Sequence, residues 1–290
     1  MASGGHTLPH ATLPAPVSLP LDATIRELWL ARTRQHFEDS YAGVRMLQFP
    51  EDLRVFEHLL WISRPNVVIE IGVQFGGSTL WFRDRLRALR QYGLEEDVRV
   101  IAIDIDVSAA ADALAAADPL YAETITLLEG DVTDPRLPDR VAELIASGDR
   151  CMVVEDSAHT YRTTRAALDG FARFVSPGGF LVVEDGCVDV EPMRADPDWP
   201  RGVLPAVEDW LASAAGRDFH VRRDLEIYGI SCHPQGFLQR AVRLTSSTRR
   251  RLGSPRVACP APRRRRRWRV SDARSRDRRR SGRIRGDCGT

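Results

Sequence analysis

The chain has 290 residues, 43% of them hydrophobic and 28% charged, the balance of a soluble globular protein. No stretch approaches the roughly 18 apolar residues of a membrane helix, and the N-terminus lacks a basic start followed by an apolar run, so neither a span nor a secretory signal is expected. The net charge of +1 hides an asymmetry: residues 241–290 carry 18 Arg against 3 Asp, while the first 240 carry 23 basic against 37 acidic side chains. All 41 basic residues are Arg, which excludes a lysine base, a Schiff base and a phosphate-loop lysine. Cys151, Cys187, Cys232, Cys259 and Cys288 are scattered without a CxxC. That argues against a zinc site or a disulfide framework and for a reducing cytoplasm.

Residues 1–20 are rich in Pro, Ala and Gly and are expected to be disordered. A helix is predicted after Asp22, with Ile25, Leu28 and Trp29 on one face. A second follows Pro50, with Leu53, Phe56, Leu59 and Leu60 as its stripe. Together, residues 21–64 read as a helical cap. From residue 65 the pattern alternates. Apolar strands are predicted at 66–72, 98–106, 124–131, around Cys151–Asp156 and around Phe180–Asp185, each followed by a helix. Strands that are apolar throughout, alternating with helices, imply a parallel sheet covered on both faces. FHVRRDL and GFLQRAV are short and suit an antiparallel edge. The domain is expected to end near Arg243. The Arg-rich tail, 244–290, has no apolar period and reads as disordered, with a nucleic-acid arm as the sharper alternative.

In an open parallel sheet, ligands collect at the carboxyl ends of the strands, and the acidic motifs sit there. Glu70 closes the first strand, and Gly72, Gly76 and Gly77 form the turn into a helix. Their spacing is not the dinucleotide fingerprint. Asp104 ends the next strand, where a carboxylate can accept ribose hydroxyls, with Asp106 left to cap the following helix. Gly130 and Asp131 end the third. The tetrapeptide VVED then occurs twice, at Val153–Asp156 and Val182–Asp185. Neighbouring strands bring the two acidic ends together, and clustered carboxylates repel unless a cation joins them. Asp156, Glu184 and Asp185 offer the oxygen donors that Mg²⁺ prefers. His159, three residues past Asp156, is placed to take a proton beside such a site.

These residues carry a family resemblance. GVRMLQFPEDLRVFEHLLWISRPNVVIEIGVQFGGST, IDID, EDSAHTYRTT, FVSPGGFLVVEDG and YGISCHPQGFLQR, in that order over roughly residues 40–242, resemble the cephalosporin hydroxylase family. That family is similar to the macrolide and rhamnosyl sugar O-methyltransferases. The resemblance implies an α/β, Rossmann-like class I S-adenosylmethionine methyltransferase fold: a mostly parallel seven-stranded sheet with helices on both faces. It implies Glu70, Gly72, Gly76 and Ser78 along S-adenosylmethionine, Asp104 on its ribose, and Gly130 and Asp131 at the adenine. It matches Asp156, Glu184 and Asp185 to Mg²⁺ ligands and His159 to the general base. Glu155 departs from the apolar residue usual in relatives, and Gly202-Val203 from the usual Gly-Pro.

The expected function is therefore Mg²⁺-dependent O-methylation of a sugar or other small hydroxylated metabolite. The loop 187–202 is expected to act as a substrate lid. Three alternatives stand beside this reading. An iron oxygenase would need two His and a carboxylate, and only His159 lies near the acids in sequence. A nucleic-acid binder using the tail is opposed by the acidic body. A non-catalytic ligand-binding member is the third. The composition is compatible with a homo-oligomer.

Overall fold

The computed structural model of the chain describes residues 13–242. The expectations for residues 1–12 and for the tail 244–290 lie outside the described residues. Residues 13–24 run without regular structure. Helix α1 (Ile25–His36) opens on a capping box between Thr24 and Glu27. A two-stranded antiparallel hairpin follows, β1 (Ser40–Tyr41) and β2 (Val44–Arg45), which the sequence reading did not foresee. Helix α2 (Pro50–Ser63) has Pro in its first turn, where no amide is needed.

The main sheet is then built by β3 (Val67–Ile71), α3 (Gly77–Arg90), β4 (Arg99–Asp104), α4 (Ser108–Ala117), β5 (Ile125–Glu129), α5 (Leu137–Ala142), β6 (Cys151–Glu155), α6 (Tyr161–Phe171), β7 (Phe180–Val183), α7 (Val203–Ala212), β8 (Phe219–Val221) and β9 (Phe237–Arg240). Its seven strands lie in the order β5-β4-β3-β6-β7-β9-β8. The first five pair in parallel, and β9 inserts antiparallel between β7 and β8. The two late apolar pieces thus form the antiparallel end, with β8 outermost. The strand order reverses between β3 and β6, which opens a crevice at their carboxyl ends.

Alternate residues of the strands feed two cores, as the pleat requires. Ile69, Ile101, Val153 and Leu181 face Leu168, Phe171, Val207 and Trp210. Val68, Val100, Val154 and Val182 face Phe56, Leu59, Leu80 and Leu86. The α2 stripe is therefore built into one face of the sheet. For α1 the expected stripe is wrong: Ile25 and Leu28 are exposed and only Trp29 of the three is buried. The cause is that α1 touches the body through one edge. Trp29 stacks on Phe49 at 4.9 Å and donates its indole N–H to the Met193 carbonyl at 2.6 Å.

Candidate active site

A cavity of about 600 Å³ opens at the carboxyl ends of β3, β4, β5, β6 and β7. At its floor the chain leaving β3 runs between those leaving β4 and β6. The Asp156 amide donates to the Ile71 carbonyl at 2.7 Å, and the Gly72 amide donates to the Ile103 carbonyl at 2.8 Å. Gly72 has φ +94°, and a Cβ there would stand 1.9 Å from the Asp156 carbonyl oxygen. Only glycine permits that approach, so Gly72 sets the position of Asp156 as well as the loop.

The residues expected along the cofactor divide into two groups. Gly72, Ser78, Asp104, Gly130 and Asp131 line the cavity. Glu70 and Gly76 are absent from its wall. Glu70 is 1% exposed and accepts the Thr79 hydroxyl. Burial pushes its carboxyl up to about 7, against the pull of Ser78 and Thr79. It braces the start of α3 from beneath. Gly76 is the left-handed residue before α3 and packs against Leu114.

Asp104 organises the loop it faces. Its Oδ2 accepts the Val73 and Gln74 amides, each at 2.8 Å, and its Oδ1 accepts the Ile105 amide at 2.7 Å. Asp106 accepts the Ser108 amide at 2.9 Å, at the start of α4. Asp131 accepts the Thr133 amide and hydroxyl, both at 2.8 Å, and these bonds hold its carboxyl below the usual range.

The two VVED ends do meet, because β6 and β7 are parallel neighbours. Oxygens of Asp156 and Asp185 and a ring nitrogen of His159 lie within 4.8 Å of one another. His159 Nε2 is 3.4 Å from Asp185 Oδ2, while its buried Nδ1 has no hydrogen-bond partner. His159 and Asp185 both adopt left-handed backbone, φ 54° and 55°, a conformation that costs about 1–3 kcal/mol and clusters at functional sites. Asp156 is held well above the usual carboxylate range by burial, then by the charges of Glu184 and Asp185. A cation would relieve that repulsion, and the donors are hard oxygens with one imidazole, so the set fits Mg²⁺.

Glu184 stands apart from this trio. It is 2% exposed and accepts the Gln48 amide at 2.6 Å. Burial again raises its carboxyl strongly. Behind it lies a buried polar network that the sequence reading missed. His233 Nδ1 accepts the Asp185 amide at 3.1 Å, which braces the left-handed turn. His233 Nε2 faces Glu184 at 3.5 Å and Asp52 at 3.8 Å. Asp52 accepts the Ser231 hydroxyl at 2.6 Å and the Cys232 amide at 2.9 Å. Gln48, Asp52 and His233 lie in QFPED and SCHPQ, within the segments that carry the family resemblance, but nothing local marks them as a unit. Glu155 is also buried, is not part of the cavity wall, and accepts the Ser157 amide at 3.2 Å and its hydroxyl.

The segment 187–202 is a braced wall. The guanidinium of Arg194, 5% exposed, donates to the carbonyls of Val188, Pro197 at 2.6 Å and Trp199 at 2.7 Å. Asp189 accepts the Gly202 and Leu204 amides, each at 2.8 Å, capping α7 from across the segment. Trp199, Pro200 and Val188 complete the cavity on that side.

Sheet order, switch-point cavity and acidic strand ends together define the class I S-adenosylmethionine-dependent methyltransferase fold. Within that class, the chain belongs to the Rhamnosyl O-methyltransferase/CmcI family, whose model matches residues 34–241. The resemblance read from the sequence is thereby borne out. A rhamnosyl O-methyltransferase of Mycobacterium bovis is 24% identical over 224 residues, covering 76% of this chain and 86% of that protein. An apo structure of CmcI is 24% identical, covers 80% of this chain and 90% of its own, and superposes with a TM-score of 0.53. A Mg–SAM structure of CmcI is 23% identical with the same coverage and a TM-score of 0.50. No helix among the described residues is long and apolar enough to cross a membrane.

Proposed function

We propose that the chain is a Mg²⁺-dependent S-adenosylmethionine O-methyltransferase acting on a hydroxyl of a sugar or glycoside. The observation that carries the reading is the trio Asp156, His159 and Asp185 on the wall of the switch-point cavity, in a chain of this family. The rhamnosyl specificity of the sequence relatives favours a sugar acceptor. The free thiols of Cys151, Cys187 and Cys232 suit a reducing cytoplasm.

S-Adenosylmethionine would supply the methyl group, and Mg²⁺ the positive charge that lowers the acceptor hydroxyl pKa. Gly72, Ser78, Asp104, Gly130 and Asp131 would hold the cofactor, with Glu70 and Gly76 shaping the loop from behind. Asp104 already anchors the loop amides, and its Oδ1 retains a lone pair for a ribose hydroxyl. Asp156 and Asp185 would hold the cation. Glu184 is the third carboxylate, released for that role if its bond to Gln48 opens. His159, on the cavity wall beside Asp185, takes the acceptor proton. The braced wall 187–202 and the Trp29–Phe49 stack exclude water and align the acceptor with the methyl group.

A specific second reading makes His159 a third metal ligand, because its nitrogen lies within the same 4.8 Å group. Calorimetric titration with S-adenosylmethionine, with and without Mg²⁺, followed by methyl transfer to a panel of rhamnosides, tests the proposal. Binding of the cofactor and Mg²⁺-stimulated transfer to a sugar hydroxyl support it. A folded protein that binds no S-adenosylmethionine overturns it.

A further inference from the structure

The cysteines that look scattered along the chain are not scattered in space. Cys187 follows Asp185 in the turn after β7, and Cys232 lies in the loop before β9. The Cys187 amide donates to the Cys232 carbonyl at 3.0 Å, which fixes the two loops side by side. Both thiols are free, and both residues belong to the wall of the cavity. Their sulfurs and a carboxylate oxygen of Asp185 lie within 4.8 Å of one another.

We propose that Asp185, Cys187 and Cys232 form a second metal site, one for a thiophilic divalent ion of the zinc class. Two thiolates and a carboxylate are a zinc-type donor set, with water completing a tetrahedron. Binding releases two thiol protons to solvent. Mg²⁺ does not compete for these sulfurs, since it takes oxygen donors. The backbone bond between Cys187 and Cys232 holds the pair in register before any ion arrives. Asp185 belongs to this trio and to the trio with Asp156 and His159. A thiophilic ion therefore draws on a carboxylate that the proposed Mg²⁺ site also uses, and each ion weakens the other. That coupling rests on the Mg²⁺ reading; the thiolate site itself does not.

The test uses the full chain with Cys259→Ser and Cys288→Ser, which removes the tail thiols. Cobalt serves as the spectroscopic probe. One equivalent of Co²⁺ should produce a thiolate-to-cobalt charge-transfer band that Zn²⁺ bleaches. Cys187→Ser or Cys232→Ser should lower the affinity by about 100-fold, since even residues outside the ligand shell are worth 10–100-fold. Cys151→Ser should leave it unchanged. X-ray absorption at the zinc edge, on protein with both site cysteines intact, should show two sulfurs at about 2.3 Å. A zinc shell of nitrogen and oxygen only, or a cobalt band that survives both substitutions, overturns the site. Zinc affinity independent of added Mg²⁺ overturns the coupling. Neither readout requires methyl transfer, so failure of the proposed activity is distinguishable from failure of this site.

Discussion

Asp104→Ala separates the two tasks assigned to one carboxylate. Asp104 accepts three backbone amides, from Val73 and Gln74 at 2.8 Å and Ile105 at 2.7 Å. Hydrogen bonds to a charged acceptor are worth about 1.5–3 kcal/mol each when their donors are shut off from water. Gln74 and Ile105 are exposed, so water replaces most of what they lose; Val73 is buried and its amide is left without a partner. The net loss of stability should be about 2–3 kcal/mol, a fall in melting temperature of roughly 4–12 °C for a domain of this size. The same loop walls the cofactor cavity, and the ribose contact is lost with the carboxylate. S-Adenosylmethionine affinity should fall roughly 5- to 150-fold, the equivalent of about 1–3 kcal/mol. Asp104→Asn keeps one oxygen acceptor and should lie between the parent and the alanine variant on both scales. Calorimetry and thermal melts on the same samples decide the matter. An alanine variant that melts lower yet binds the cofactor as the parent does would confine Asp104 to bracing the loop and refute its ribose role.

Glu70 predicts a pH dependence of stability. Its carboxyl titrates near 7 in the fold against 4.5 as the ordinary value, so the folded state holds a proton that the unfolded state has lost between those limits. Stability should therefore fall as pH rises from 4.5 to 7, by up to about 3 kcal/mol, and level off above 7. Glu70→Gln should flatten that part of the profile in urea melts, and an unchanged profile contradicts the assignment. His159→Ala should keep Mg²⁺ affinity and lose rate by about 10²–10⁴-fold, whereas Asp156→Asn and Asp185→Asn should lose Mg²⁺ affinity itself. Loss of Mg²⁺ affinity in His159→Ala, seen by calorimetry, would make it a ligand. A chain ending at Arg243 should unfold cooperatively and bind S-adenosylmethionine as the full chain does; loss of either places the domain boundary elsewhere.

The parts legible in the sequence are those that local pattern determines. Apolar strands ending in acids gave the parallel sheet, and adjacent copies of VVED gave the meeting of Asp156 and Asp185. The strand-turn glycine gave the cavity floor, although its reason, the close approach to the Asp156 carbonyl, is tertiary. Other features were not legible. The orientation of Glu70 and Glu184, both read as facing a ligand, depends on which neighbours reach them; Thr79 and Gln48 do. The Asp52–Ser231–His233 network joins residues about 180 positions apart, beyond any sequence period. In helix α1 the apolar residues Ile25 and Leu28 are exposed, so periodicity alone misjudged its contact. The Cys187–Cys232 pairing fails for the same reason as the network, since spacing in the chain says nothing of two loops that touch.

The proposed mechanism requires a cation at Asp156 and Asp185 for methyl transfer to a sugar hydroxyl. The direct measurement is the rate of transfer from S-adenosylmethionine to a rhamnoside acceptor in Mg²⁺ and in excess chelator. Transfer that stops in chelator and returns in full on adding Mg²⁺ is the predicted result. Transfer at the full rate in excess chelator would contradict it.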